Sequence, residues 1–408
     1  MNIAVNRCEK PFRKYDVVWE YFPEHGRGLI SCLFDVWDID QDVLIPEQHF
    51  VDVMDKILAP RSTSSLAHFY FEAFCGTGVL QEQKVELLVR TAFSLFLVGS
   101  GLSQNVAKEE VTQKDVTRVT QTILSKGSSG AGLDWMETSC PELLMGMHQW
   151  LTAQLAPSDD ADAATVADYT LPDHEGAVLS VAMWWMLSGS LPSLYTQPTT
   201  GTEPNSAGEA TQRQAFSKRP WTLLYSSKDH GLSVNRLQHH VLGYRGPTVL
   251  IVRCEGDYVY AVALDTEWRE GTTPWGGTSS VLLRLSPDYG VIEEGDKMVL
   301  FNDKSRNLPK GLFVGRDPKR RSLSLTEGLQ TVTHRGLTGS VVDAEVWGCA
   351  SSDAKLAQAK QKKAELKDAE RNAKVKLPGQ WDDNPDRLLI GWGTARTDYA
   401  DGFREDRK

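Results

Sequence analysis

The sequence predicts an α+β protein: an N-terminal all-α, EF-hand-like region, an antiparallel two-sheet β-sandwich with short helices, and a long C-terminal helix. Three observations predict it. Apolar residues recur at three- and four-residue spacing through the first half, the pattern of amphipathic helices. Between Trp221 and Ala350, short β-branched and aromatic runs alternate with Gly, Asn, Asp and Pro clusters, and many short punctuated strands make a sandwich. Ser352 to Lys376 is built almost wholly of Ala, Lys, Glu, Gln, Leu and Asp and is stopped by Pro378 and Gly379, the composition and ending of a helix.

The chain divides accordingly into 1–155, helical; 156–219, an acidic excursion, a closing helix over 178–187 and a linker; 221–350, strand-rich; 351–377, the last helix; and 378–408, a tail. A length of 408 residues suits two or three units, and 41% hydrophobic content is enough for packed cores. Charge is uneven. Met1 to Pro220 holds 16 basic and 28 acidic residues, whereas Trp221 to Ala350 holds 15 of each. An acidic lobe repels nucleic acid and anionic lipid and suits a basic protein partner, so nucleic acid is not an expected ligand. Six cysteines (Cys8, Cys32, Cys75, Cys140, Cys254 and Cys349) lie far apart without a CxxC pair and read as reduced, mostly buried thiols of an intracellular protein. The longest apolar run, Ala177 to Leu187, is about half the roughly 20 residues a bilayer span needs. It predicts a core helix, and no transmembrane segment is expected.

Arg13 to Phe22 and Gly28 to Trp37 carry helical apolar spacing. The second runs into a stretch laid out like an EF-hand loop, with Asp38, Asp40 and Asp42 at its first, third and fifth positions, Ile45 at the eighth, and a helix over Phe50 to Leu58 behind it. Val43 stands where Gly makes the sharp turn, and His49 where a bidentate Glu supplies two oxygens. Two readings follow: the three aspartates hold Ca²⁺ weakly, or the loop only joins two helices. No other cofactor is expected. His68 to Phe74 and Glu82 to Val98 read as a metal-free partner hand, because no carboxylate stands between them. There, Gly76-Thr-Gly78 lacks the third Gly and the Lys-Ser/Thr of a phosphate loop.

Gln104 to Leu124 and Leu133 to Leu155 read as further helices. The apolar face of the second, with Met136, Leu143, Met147, Trp150 and Leu151, suits a core better than a cofactor box. Ala156 to Leu171 reads as a surface excursion and Gln197 to Arg219 as a linker. Beyond it, Trp221 to Tyr225 is a strand, a polar turn leads to a helix carrying Val234, Leu237 and Val241, and Gly243 with Gly246-Pro247 stops that helix. Thr248 to Cys254 and Tyr258 to Leu264 form a hairpin about Glu255-Gly256-Asp257. Both strands are apolar at alternate and intervening positions, so both of their faces are expected to be covered. Further strands are expected over Ser280–Leu285, Met298–Phe301, Gly311–Val314, Ser322–Leu325 and Val341–Trp347.

No GxSxG elbow, HExxH, P-loop or Cys with an identifiable His partner is present. His239 and His240 point about 100° apart on a helix, which suits one packed and one exposed imidazole. Asp229-His230 is an adjacent acid–imidazole pair in sequence. Lys319, Arg320 and Arg321 read either as a solvated turn or as a contact for an acidic partner. Ser352 to Lys376 carries 8 basic and 4 acidic residues. Its seam of small and polar residues is too weak for a coiled coil, which leaves two readings. It lies solvated on its own domain, or it projects as an arm that docks into a partner through Lys355, Lys362, Lys363, Leu366 and Arg371.

Several of these stretches together resemble the TLDc domain family: Trp221-Thr-Leu-Leu-Tyr-Ser-Ser, Gly231-Leu-Ser, Gly246-Pro-Thr-Val-Leu-Ile-Val, Tyr260-Ala-Val-Ala to Trp268, Val281-Leu-Leu-Arg-Leu285 and Asp343-Ala-Glu-Val-Trp-Gly348. The likeness spans about a third of the chain, in order. It implies a non-catalytic adaptor that binds peripheral subunits of the cytosolic sector of the vacuolar proton ATPase, with links to protection against oxidative stress. A helical EF-hand-like region before the domain and a helix after it resemble the MTOR-associated, EAK-type branch, which implies MTOR signalling partners and a cytoplasmic, peripheral place at the lysosomal membrane. That branch often starts Met-Gly for myristoylation, whereas Asn2 follows Met1 here. Anchoring is therefore expected through a protein partner or a segment outside this sequence. Two alternatives remain beside the adaptor: a Ca²⁺-responsive sensor, and a thiol-dependent antioxidant enzyme acting through Cys254 or Cys349.

Overall fold

A computed structural model describes residues 12–13, 23–36, 44–45, 55, 59, 62–99, 109–155, 177–196, 221–350 and 352–374. Asp38, Asp40 and Asp42, the helices expected over Arg13–Phe22 and Phe50–Leu58, the acidic excursion, the 197–219 linker and the 378–408 tail lie essentially outside them. The fold is α+β. It separates into two compact units, Met1–Lys355 and Leu356–Lys408.

The first unit begins with β1 (Phe12–Arg13), α1 (Glu24–Val36) and β2 (Leu44–Ile45), the two strands pairing antiparallel. α2 (Thr63–Cys75) and α3 (Glu82–Gly99) follow, then α4 (Glu110–Leu124) and α5 (Ser129–Ser139). Ser62, Ser128 and later Ser180 each accept a backbone N–H at a helix start, satisfying a donor the helix itself cannot. The α2–α3 pair was expected to partner the 38–49 loop. Instead Val79, in the loop after α2, bridges Ser128, in the loop before α5, and Ser129 N–H donates to Gly78 O at 2.8 Å. The helix–loop–helix partner of α2–α3 is therefore α4–α5, and neither connecting loop contains a carboxylate.

The helix expected over Leu133–Leu155 is two helices, α5 and α6 (Met145–Leu155). Pro141 sits at the break, where it has no N–H to continue the ladder and clashes with the preceding turn. α7 (Val181–Ser190) is apolar around its whole circumference, and Ala182 to Gly189 are all buried, as a helix covered on every side must be. A short α8 (Ser193–Thr196) ends this layer.

The strand-rich part runs β3 (Thr222–Ser226), α9 (Ser227–His230), α10 (Val234–Val241), β4 (Thr248–Cys254), β5 (Tyr258–Leu264), β6 (Val281–Ser286), β7 (Gly290–Glu294), β8 (Val299–Asn302), β9 (Gly311–Val314), β10 (Leu323–Thr326), β11 (Thr331–His334) and β12 (Leu337–Gly348). All pairings are antiparallel, in the order β7-β6-β5-β4-β12-β11-β10-β9-β8, with β3 on the other side of β12. β12 belongs to two sheets. Its first third pairs with β11, and from Val341 it pairs with β4. The register slips between Val341 and Asp343, and such a bulge lets one strand bend from one sheet into the next.

Side-chain alternation then sorts the cores. On β4 and β5, Val249, Ile251, Val259, Ala261 and Ala263 face the helices in one core, while Leu250, Val252, Tyr260, Val262 and Leu264 face the second sheet in another. Both faces of this hairpin are covered, as its unbroken apolar runs predicted. The first unit is layered as helices, first sheet, second sheet. The helical segment and the strands share the first core, which runs from Leu29 through Trp185 to Trp347.

From Ser352, α11 reaches Lys374. Its Ala354 packs against the sandwich core and Lys355 Nζ donates to Leu223 O at 3.1 Å. In the second unit, Leu356 and Leu366 are exposed.

Candidate functional site

Several polar links hold the helical layer to the first sheet. Glu345 on β12 is buried, and its carboxylate accepts Val178 N–H at 2.6 Å, Leu179 N–H at 3.4 Å and the Trp347 indole N–H at 3.1 Å. Beside it, Arg253 donates to Val178 O at 3.3 Å. Asp115 on α4, also buried, accepts from Ser180 and pairs with Arg118, which also pairs with Asp257 in the β4–β5 turn. Burial pushes the Asp115 pKa upward. At Asp257 the cations Lys114 and Arg118 outweigh desolvation, and the pKa is lowered. Tyr289 adds two more, its hydroxyl donating to Met186 O at 3.0 Å and its backbone N–H donating to the Thr122 hydroxyl oxygen at 3.1 Å. Glu345 and Trp347, drawn from the closing Asp-Ala-Glu-Val-Trp-Gly stretch, are thus spent on architecture.

The second sheet differs from the first in what it exposes. Register puts Val299, Val314, Leu323 and His334 in one row and Leu300, Phe313, Ser324, Thr333 and Thr338 in the next. The first row is buried in the sandwich core. The second faces outward and becomes progressively more open, from buried Leu300 to exposed Thr338. On this outer face lies a groove of about 810 Å³, floored by Leu300, Phe313 and Ser324, walled by Leu308, Pro309 and Pro318, and rimmed by Lys319, Arg320, Arg321 and Arg335.

The rim is held by local bonds. Gly315 N–H donates to Met298 O at 2.7 Å, Arg316 N–H to Glu293 at 2.7 Å and Lys319 N–H to Asp317 at 2.8 Å. Ser322 donates to the other Glu293 oxygen, and the Arg321 guanidinium reaches back to Gly315 O. Lys319, Arg320 and Arg335 are exposed. Sequence charge pointed to the first three cations. Arg335 and the apolar floor are brought there by strand register alone.

With two sheets sharing a bent strand and a helical layer closing one face, comparison with known proteins is decisive at residues 209–341, which match the TLDc domain family. The chain carries a TLDc domain. A stretch of 98 residues is 31% identical to MTOR-associated protein MEAK7 of Xenopus laevis, covering 23% of this chain and 21% of that protein. Another of 93 residues is 26% identical to oxidation resistance protein 1 of the same species, covering 22% and 11%. A longer one of 245 residues is 23% identical to restriction of telomere capping protein 5 of Leptosphaeria maculans, covering 41% and 39%. The matches thus span between about a tenth and two fifths of these relatives.

The remaining sequence-flagged groups of the TLDc domain and its flanks fall as follows. Cys254 is buried and its thiol is pushed up to about 12 by desolvation; Cys349 is fully buried. A thiolate, not a thiol, is the nucleophile, so Cys254 is not poised for turnover. His239 is exposed and His240 half-buried, one packed and one open as helical spacing predicted. His230 pairs with His240, ring centroids 3.7 Å apart, and its Nδ1 accepts Ser226 N–H at 3.2 Å. Among the described residues no group of three or more His, Cys, Asp or Glu is placed to hold a metal ion, and no helix is long and apolar enough to cross a membrane. On α11, Lys355 and Lys363 are exposed, Lys362 is half-buried, Leu366 is 62% exposed and Arg371 lies 3.5 Å from Asp368.

Proposed function

We propose that this chain is a non-catalytic adaptor whose TLDc domain and following helix bind peripheral subunits of the cytosolic sector of the vacuolar proton ATPase, at the lysosomal surface and in connection with MTOR signalling and oxidative-stress protection. One observation carries the reading. Glu345, Arg253 and Tyr289 inside the TLDc domain are committed to joining layers, whereas the outer face of its second sheet presents shape, apolar floor and positive charge. A surface of that kind recognises another macromolecule. The relatives named for MTOR association and for oxidation resistance support the same class of role. Exposed Leu356 and Leu366 give α11 apolar contacts to offer a partner.

A pull-down from cytosol with the full chain, and with residues 352–408 removed, tests this. ATPase peripheral subunits are expected with the full chain and in reduced amount with the truncated one. Recovery of none with the full chain would overturn the proposal.

A further inference from the structure

The groove on the second sheet has a chemistry more specific than positive charge. Its rim cations stand next to two carboxylates, and both are already engaged. Asp317 accepts the backbone N–H of Lys319 at 2.8 Å, and Glu293 accepts Arg316 N–H at 2.7 Å and the Ser322 hydroxyl. Among the described residues no carboxylate lines the groove, and none pairs with the side chains of Lys319, Arg320 or Arg335. Arg321 is different: its guanidinium is tied to Gly315 O, which makes it wall rather than open donor. Between the cations lies a floor of Leu300 and Phe313, apolar groups held on the solvent side of a sheet by register.

From this we infer that the groove binds an extended acidic peptide segment. Its carboxylates meet Lys319, Arg320 and Arg335, and one apolar side chain between them rests on Leu300 and Phe313. The inference deepens the adaptor reading and rests on it for where such a segment comes from. Charge complementarity selects the occupant, since exposed cations with no internal carboxylate partner recover favourable pairing only from an incoming anion. Shape excludes the other anionic polymers. A volume of about 810 Å³ is the size of a site for a few side chains. Phe313 is the one aromatic side chain among the described residues that line it, where single-stranded nucleic acid is held by several stacked aromatic rings along a basic track.

Fluorescence anisotropy of the full chain tests the proposal with a fluorescein-labelled peptide of aspartates and glutamates around a central leucine. Oligothymidylate and phosphatidylserine vesicles serve as competing probes. The peptide is expected to bind, to weaken as salt rises, and to weaken about tenfold when Arg320→Ala and Arg335→Ala are combined. Arg269→Ala, a loss of one positive charge at an exposed position outside the groove, is expected to change nothing. Phe313→Ala should weaken binding with the salt dependence kept, as should a peptide whose leucine is replaced by serine. Absence of peptide binding, equal loss in Arg269→Ala, or binding of oligothymidylate or vesicles in place of the peptide would each overturn it. The arginine variants sit on exposed side chains, so unchanged thermal unfolding separates lost binding from lost fold. Peptide binding without recovery of ATPase subunits sinks the adaptor reading alone; subunit recovery without peptide binding sinks the groove proposal alone.

Discussion

Replacing Glu345 with Gln removes a charge and turns one acceptor oxygen into a donor NH₂ while keeping the shape of the side chain. In the native protein the carboxylate serves Val178 N–H at 2.6 Å, Leu179 N–H at 3.4 Å and Trp347 Nε1–H at 3.1 Å. A hydrogen bond to a charged group contributes about 1.5–3 kcal/mol, and a buried donor left facing another donor costs its desolvation, about 1–3 kcal/mol. The amide keeps one acceptor oxygen, so Glu345→Gln is expected to cost about 2–4 kcal/mol, and Glu345→Ala, which strands all three donors, about 3–5 kcal/mol. Urea unfolding followed by tryptophan fluorescence reads the loss. Amide exchange by mass spectrometry reads its place, with Val178 and Leu179 the first to lose protection. Coupling of about 0.5–3 kcal/mol to Trp347→Phe is expected in a double-mutant cycle. Glu345 does not hold the helical layer to the sheet if Glu345→Gln stays within about 0.5 kcal/mol of the parent, or if residues 177–180 keep their protection while the sheet loosens.

Three further outcomes are expected. His334 is buried with Nε2 unpartnered, its Nδ1 is bonded to Ser322 O at 2.7 Å, and burial lowers its pKa. The folded state therefore resists a proton that the unfolded state takes up. Its contribution is intact above the ordinary pKa of about 6.5 and is lost as pH falls below it toward the folded value, so urea midpoints at pH 7.5 and 5.5 should differ less in His334→Asn than in the parent. Gly311 has φ 137°, and a Cβ there would lie 2.2 Å from Leu325 O. Gly311→Ala should cost about 3 kcal/mol or more, seen as a lower thermal midpoint with β9 exchanging first. Cys254 and Cys349 should resist iodoacetamide in the native chain and react on unfolding, and purified wild type and Cys254→Ala should consume peroxide equally slowly; rapid native labelling of either thiol would reopen the enzyme reading.

Much of the fold was legible because its elements carry strong local pattern. Thr248–Cys254 and Tyr258–Leu264 are strands with the expected bounds, and their continuous apolar character announced cover on both faces, as in the two cores that sandwich them. Gly290–Glu294 and Thr331–His334 carry no such pattern. The first is a sheet-edge strand without a buried residue, and the second is a four-residue strand with alternate residues half-exposed. The neighbouring backbones hold such strands in place more than their own hydrophobic pattern does. The break at Cys140–Leu144 was legible in Pro141 and was overridden by the apolar periodicity around it.

Local composition by itself determined the helical, strand-rich and charged-helix segments, the buried state of Cys254 and the basic character of 319–321, since each depends on a residue and its near neighbours. Tertiary structure alone decided that Glu345 holds Val178, 167 residues away in sequence, and that Leu300, Phe313 and Arg335 meet the basic turn in one groove. Those pairings come from strand register and from the bulge that sends β12 into a second sheet. Register is settled by how whole faces bury against one another, a property no short stretch of sequence possesses.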